Sequence, residues 1–438
     1  MVAVLSVATV VANHPEIPGA DPGRPVALVG GTIHPVAGPS IPNGILLFDK
    51  GKIVAVGEKI EIPKDALQID IKGKHVYPGL IDAYTDLGLT EISAVRATKD
   101  QRETGRINPN VKAQVAFNPD SELIPVARSN GILLTGCAPS GGLISGQSAV
   151  MKLDGWSWED MTVKPAAGMH INWPRVLSPS ADWSGESQGK DKDEDKENKN
   201  SNRLKPLEQA FENAQAYREA RRKNTQQPID AKWEAMIPVL EQKVPVIVHT
   251  NRAADIKSAI AFAVRHNIRL IIAGGYDALE CTQLLKRHQI PVIVGGIYRL
   301  PQNRDDGFDE AYTLPKRLHE AEIPFCIAGF GRFNAANVRN LPYHAATAAA
   351  YGLPPEIAIK AITSYPADIL GIADRVGTLQ PKKDATLIVC SGNPLEIPTH
   401  VERAYIGGRE VDLNNRHKRL WNKYEEKYRR MGLVKEKD

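Results

Sequence analysis

Only four cysteines occur in 438 residues, Cys137, Cys281, Cys326 and Cys390, and no two of them form a C-x-x-C pair. That spacing excludes a zinc knuckle and a dithiol redox motif, and thiols scattered through apolar runs read as buried free cysteines. Charge of one sign is equally scarce. The 55 Lys and Arg stand against 51 Asp and Glu, a formal net charge of +4, and much of that sits in the basic C-terminal segment. The electrostatic footprint of a dedicated nucleic-acid binder is therefore missing. No apolar run is long enough to span a bilayer. The N-terminal run, residues 1–12, ends in Val10-Val11-Ala12 with no Lys or Arg before it. It reads as the tail of an export signal, which places the mature protein in a periplasm or outside the cell, with the cytoplasm as the alternative.

What the chain does contain is ordinary globular material, 42% apolar and 24% charged, enough for one large domain and a small one. Between Pro25 and Pro78, β-branched runs at 26–29, 45–48 and 53–56 are separated by turns. Asp49-Lys50-Gly51-Lys52 predicts a hairpin, because glycine supplies the positive φ of a tight turn. Residues 385–390 and 401–406 repeat this style, so a small sheet begun early and finished late draws the two ends of the chain together. Between them, apolar runs at 244–249, 268–273, 292–294 and 324–328 alternate with helical stretches. Near-continuous hydrophobic strands alternating with helices predict a parallel sheet buried on both faces, and their number suits a closed barrel. The expected architecture is thus α/β, a (β/α)8 TIM-type barrel with a small composite β-sandwich. Its parts are a leader (1–24), the two halves of the sandwich (25–77 and 375–412), the barrel (78–374) and a charged terminal helix (413–438). Residues 185–202 hold nothing apolar to bury and read as a mobile loop. Residues 206–223 carry Leu207, Ala210, Phe211, Ala214 and Tyr217 at helical spacing, a surface helix of the barrel. Residues 414–430 place Leu420, Trp421, Tyr424 and Tyr428 among many charges, an amphipathic helix expected to pack on the protein rather than on a membrane.

The segment His75-Val76-Tyr77-Pro78-Gly79-Leu80-Ile81-Asp82-Ala83-Tyr84-Thr85-Asp86 resembles the entry to barrel strand one of the amidohydrolase superfamily, where P-G-L-I-D-x-H-x-H delivers two metal-binding histidines. Val246-Ile247-Val248-His249 is similar to strand five with its single histidine ligand. Pro366-Ala367-Asp368-Ile369-Leu370-Gly371 and Gly377-Thr378-Leu379-Gln380-Pro381-Lys382-Lys383-Asp384-Ala385 resemble the C-terminal signature that closes the barrel. The style is that of imidazolonepropionase-like members. In working members, one or two divalent metals lower the pKa of a bound water and polarise the scissile carbonyl, while a strand-eight aspartate moves the proton. Such a site takes about three His, Asp, Glu or Cys ligands and an open position.

Against that requirement the chain is poor. Tyr84 and Asp86 stand where the resemblance calls for two histidines, and a phenol ligates weakly near neutral pH. Strand six ends in Ala273-Gly274-Gly275-Tyr276, and strand eight runs into Gly329-Phe330-Gly331, so a histidine and the proton-shuttling aspartate are replaced. The remaining candidates for a vestigial metal site are His249 and Asp86. His266, His288 and His319 end helical segments and read as surface residues, while His170 and His344 read as lying in or beside loops. The Gly/Ser-rich stretch 139–148 lacks the Lys of a phosphate loop and is not G-x-S-x-G, which disfavours nucleotide binding and a serine nucleophile. At the C-terminal face of a barrel its amides and Ser145 suit a carboxylate or carbonyl oxygen. The candidate ligand-binding residues are therefore Tyr84, Gly141, Gly142, Ser145, Gly146, Gly274 and Gly331. Glu91, Arg96, Arg102 and Glu103 form a polar loop after strand one, suited to substrate contacts or to plain solvation.

Two readings stay open. One is a diverged amidohydrolase-related protein with little metal-dependent activity and no resident cofactor. It would be a binding or regulatory subunit for a small or peptide-like ligand, as a homodimer or with an intact paralogue. The other is a hydrolase of amide or cyclic amide C–N bonds, with Zn or another divalent metal on Asp86, His249 and Asp277.

Overall fold

The structure, a computed structural model, describes residues 15–175, 193–224, 226, 228–331 and 333–434, with the side chains of 193–202 left aside. The export-signal expectation and residues 185–192 fall outside these. Sixteen strands form among the described residues: β1 Val26–Ile33, β2 Ile41–Asp49, β3 Lys52–Gly57, β4 Leu67–Asp70, β5 His75–Pro78, β6 Leu80–Thr85, β7 Ile132–Cys137, β8 Ile144–Lys152, β9 Thr162–Asn172, β10 Val246–Thr250, β11 Leu270–Gly274, β12 Val292–Gly295, β13 Phe325–Ala328, β14 Leu387–Cys390, β15 Val401–Ile406 and β16 Arg409–Glu410.

They make two sheets. The smaller one runs β16-β15-β14-β5-β1-β2-β3, with β4 beside β1, so N- and C-terminal strands share one ladder as their alternation predicts. The expected hairpin joins β2 to β3, with Lys50 at φ 46° and Gly51 at φ 79°. The larger sheet runs β6 to β13 in chain order and closes into a barrel. Its two edge strands meet through a short segment, Ile81 N–H donating to Ile362 O and Ile327 N–H to Ala361 O. The Asp82 carboxylate, on β6, also accepts the Gly329 N–H just past β13 at 3.2 Å. Strands β10–β13 are buried apolar runs, Val246, Ile247 and Val248 being 1% exposed, and a buried run of this kind specifies a parallel strand covered on both faces.

One strand departs from the all-parallel expectation. β8 runs antiparallel to both β7 and β9. The connections explain it: only residues 138–143 join β7 to β8, and 153–161 join β8 to β9, whereas a crossover between parallel strands needs about a dozen residues or more. The third barrel position is thus filled by a hairpin return.

Two other expectations are corrected. The charged run 185–202 is not all loop, because a helix, Asp193–Lys223, begins inside it; Glu and Lys are good helix formers, and the run continues into the helix that buries Leu207, Ala210, Phe211 and Ala214. The terminal helix, Arg416–Arg430, is capped by Asn415 as a helix should be, but none of its residues is buried. It is held at its start by polar contacts and buries no side chain against the described residues.

A buried ion pair fastens the segment before β1 to the barrel. Arg128 donates to Asp154 Oδ1 at 2.9 Å, to Leu153 O and to Pro15 O, while Asp154 Oδ2 accepts the Gly19 N–H. Burial lowers the Arg128 pKa and raises that of Asp154, so desolvation offsets much of the attraction. Removing one partner is costlier than removing both. Arg128→Met is expected to lower the unfolding free energy by about 3–5 kcal/mol, read as a lower urea midpoint, and Arg128→Met/Asp154→Leu to recover part of the loss.

Candidate functional site

In a barrel the ligand face lies at the C-terminal strand ends, and here β6, β9, β10 and the turn after β13 meet at that face. Counted along the sheet from β6, β10 is the fifth strand, β11 the sixth and β13 the eighth. The register on which the site residues were assigned is therefore the register of the fold.

β6 contributes Asp82, Tyr84 and, one residue past its end, Asp86. Asp82 is fully buried and accepts the Tyr84 and Gly329 N–H groups. Burial raises its carboxyl to about 8, opposed by those two hydrogen bonds. Asp86 accepts the Ala335 N–H at 2.9 Å, so its carboxylate anchors the loop that follows β13. Tyr84 is the centre of a ring cluster. It stacks on Phe330 with centroids 4.5 Å apart, lies 4.8 Å from the His249 ring and 5.8 Å from that of His170. Burial first, then the Asp86 charge, pushes its phenol above the ordinary range, so it stays un-ionised.

β10 presents His249, and β9 presents His170 beside it. The His170 Nδ1 and His249 Nε2 atoms are 2.8 Å apart and share one hydrogen bond. Burial lowers His249 to about 4 and drives His170 well below the ordinary value, with the neighbouring imidazole adding to the second shift. Both rings are neutral at neutral pH. His170 Nε2 is buried with no hydrogen-bond partner among the described residues. His170 corrects an expectation: it lies within β9 and not in a loop. The run Ala167-Gly168-Met169-His170-Ile171 carried the signal, with Met169 and Ile171 flanking it as buried strand residues. His344 is likewise no loop residue; it is buried in the helix Leu341–Ala350, where Nδ1 accepts the Ile297 N–H. His266 is packed, not exposed, against Phe262 and bonded to Glu208 at 2.8 Å.

The Gly/Ser stretch does lie at this face, between β7 and β8, and it is knitted to itself. Ser145 Oγ donates to Gly141 O at 2.7 Å, and the Asn172 amide donates to Gly141 O, Gly142 O and Ser145 Oγ. Gly274 ends β11 at φ 102°, where a Cβ would meet Thr250 O and Asn251 at 2.7 Å. A Cβ on Gly331 would meet nothing within 4 Å. Asp277 is occupied, accepting the Ala253 N–H at 3.2 Å and the Asn303 amide at 3.4 Å. Sequence reading also missed Arg299, in the loop after β12. Its guanidinium lies 4.8 Å over the Tyr276 ring and donates to Asn251 at 3.3 Å. Its Nε and Nη2 atoms are buried without a hydrogen-bond partner among the described residues, and burial lowers its pKa to about 10.

These residues do not fit a divalent cation. Among the described residues no three His, Cys, Asp or Glu side chains gather in a group that could hold one. The donors nearest the position are the Tyr84 phenol, the His170–His249 pair with His170 Nε2 unpartnered among the described residues, and the Asp86 carboxylate, which accepts the Ala335 N–H. What the face offers is a cluster of inclined aromatic rings with neutral imidazoles and a buried carboxyl group and, beside Tyr276 and Asn251, an under-satisfied guanidinium.

The sequence model of the Amidohydrolase family matches residues 179–411. Amidohydrolase tasK of Hapsidospora irregularis is 20% identical over 408 residues, which is 83% of this chain and 39% of that protein. The chain thus spans well under half the length of that curated relative. Among solved structures, an amidohydrolase from Thermotoga maritima MSB8 is 28% identical with a TM-score of 0.76, covering 88% of this chain and 99% of that one. An adenosine deaminase from Xanthomonas campestris with bound zinc is 15% identical with a TM-score of 0.52, covering 93% and 99%; at that identity the likeness is one of fold.

A titration follows from the histidine pair. Their folded pKa values lie below the unfolded value of about 6.5, so the unfolded chain binds more protons and stability present above pH 6.5 is lost as the pH falls toward 4. Asp82 acts with the opposite sign, its contribution falling as pH rises from about 4 to about 8. Between pH 7 and pH 5, His249→Gln is expected to lose less unfolding free energy than the native chain, by on the order of 1–2 kcal/mol, measured by urea titration at the two pH values.

Proposed function

Because this chain belongs to the amidohydrolase family, we propose that it is a member whose barrel mouth has exchanged metal-dependent hydrolysis for ligand binding, as a non-catalytic or regulatory subunit. The observation that carries this reading is the ring cluster. Tyr84 takes a ligand position and stacks on Phe330, which enters from the end of strand eight, while His249 gives its Nε2 to His170. Side chains that replace ligands and then pack on one another build a wall, and a wall binds by shape and by a few polar groups. Fold is inherited more widely than chemistry.

The ligand class is read from the same face. Arg299 holds two buried nitrogens without acceptors among the described residues, and a guanidinium fork is matched best by a carboxylate. A small peptide-like molecule with an apolar or aromatic part and a carboxylate satisfies both features. The rival reading, hydrolysis at Asp86, His249 and Asp277 around a metal, asks for three groups that do not gather among the described residues.

Metal analysis separates the two. After exposure to a chelator, reloading with zinc or manganese and dialysis, well under one equivalent of metal is expected per chain, with no turnover of dipeptides or cyclic amides. One retained equivalent accompanied by turnover overturns the proposal. In thermal-shift titrations, N-acyl amino acids are expected to raise the melting temperature of the native chain and to leave Arg299→Leu unmoved.

A further inference from the structure

The terminal helix Arg416–Arg430 has an apolar face that is not buried by any of the described residues. By the 100° turn per residue of an α-helix, Leu420, Trp421, Tyr424 and Tyr428 fall within a sector roughly 100° wide, and all four are exposed, Trp421 at 68%. Met431, Leu433 and Val434, which follow the helix, are exposed as well. Among the described residues the helix is tethered at its start: Asn415 donates to Ser129, Arg339 to His417, and Arg419 to Glu122. From Leu420 onward the side-chain bonds of the described residues are internal, such as Arg429 and Arg430 to Glu426.

The rest of its circumference is basic. Arg416, Lys418, Arg419, Lys423, Lys427, Arg429 and Arg430 stand against Glu425 and Glu426. Lys423 and Lys427 border the apolar sector, their ammonium groups 5.8 Å from the Tyr424 and Tyr428 rings. This arrangement selects the occupant. Two copies of the helix, each with this excess of positive charge, repel one another along the face they would have to share. An anionic bilayer surface attracts it. The indole and phenols are the side chains that settle at the headgroup level, and lysines at the border reach outward to anionic headgroups while their stems lie on the apolar side. A strongly charged helix with low overall hydrophobicity and a sharp apolar stripe lies in the plane of the interface.

We propose that this helix docks the protein on an anionic lipid surface, with Leu420, Trp421, Tyr424 and Tyr428 inserted and the lysine and arginine flanks on the headgroups. The barrel mouth has no part in the contact, so the inference stands apart from the reading given for that site.

Co-sedimentation of the full chain with vesicles tests it. About tenfold more protein is expected on vesicles containing about 30% phosphatidylglycerol than on pure phosphatidylcholine in ~0.1 M NaCl, and raising the salt should release it. Trp421→Glu/Tyr424→Glu is expected to abolish binding, and Lys423→Glu/Lys427→Glu to remove the preference for anionic vesicles. Because no residue of the helix is buried, both variants should keep the native urea midpoint. Binding should also shift tryptophan emission to the blue in the native chain and not in Trp421→Phe. Absence of vesicle binding, equal binding to neutral vesicles, or unchanged binding by both variants overturns the proposal. So does a dimer in sedimentation equilibrium that Trp421→Glu dissociates, since a second copy would then cover the face.

Discussion

The carboxyl group of Asp82 at the seam of the barrel sets the terms for the whole mouth. The first and last strands of the large sheet do not pair directly; a backbone segment at Ala361 and Ile362 fills in on one side, and Asp82 reaches the Gly329 N–H on the other. The group is buried completely, and its acid form is favoured by the lack of solvent. A Cβ on Gly329 would sit 3.1 Å from Asp82 Oδ2 and from Asn334 Oδ1. A side chain there would press on both groups, and the next residue, Phe330, is the one that stacks on Tyr84.

From that closure the character of the mouth follows. Phe330 stacks on Tyr84, Tyr84 lies against both imidazoles, and the two imidazoles share a proton. Offset aromatic contacts are each worth about 0.5–1.5 kcal/mol beyond area burial, and in so apolar a setting an imidazole holds no charge. The cluster is self-consistent: every member favours the neutral form of its neighbours. The strands beneath owe nothing to it, since their buried Val, Ile and Leu side chains pack independently of what the mouth carries. A barrel can thus persist while its chemistry changes.

Sequence reading recovered what depends on local pattern. The run from His75 to Asp86 located β6, and the continuous apolar runs located β10 to β13 and the order in which they line the barrel. Direction was not legible, because hydrophobic patterning is the same for a strand running either way, and β8 was reversed by connection length alone. His170 was hidden for a different reason. Its strand opens with a polar half containing Pro165, with Ala166 at φ 49° and Gly168 pressed on Ile247, features that read as a loop. Arg299 was out of reach altogether, since its isolation arises from Tyr276 and Asn251, more than twenty residues away. The charges of the terminal helix were plain in the sequence, but its detachment from the body was not, because an amphipathic stripe does not name what it faces.

The interleaved ladder of the smaller sheet has a consequence for biosynthesis. β5 pairs with β1 on one side and with β14 on the other, yet β14 leaves the ribosome roughly 300 residues after β5. At about 5–20 residues per second, the open edge of β5 waits on the order of 15–60 s for its neighbour. During that interval an unpaired strand edge and the apolar face under it are presented to other nascent chains. The delay in closing this ladder, and not only the stability of the finished fold, therefore bears on the yield of the protein.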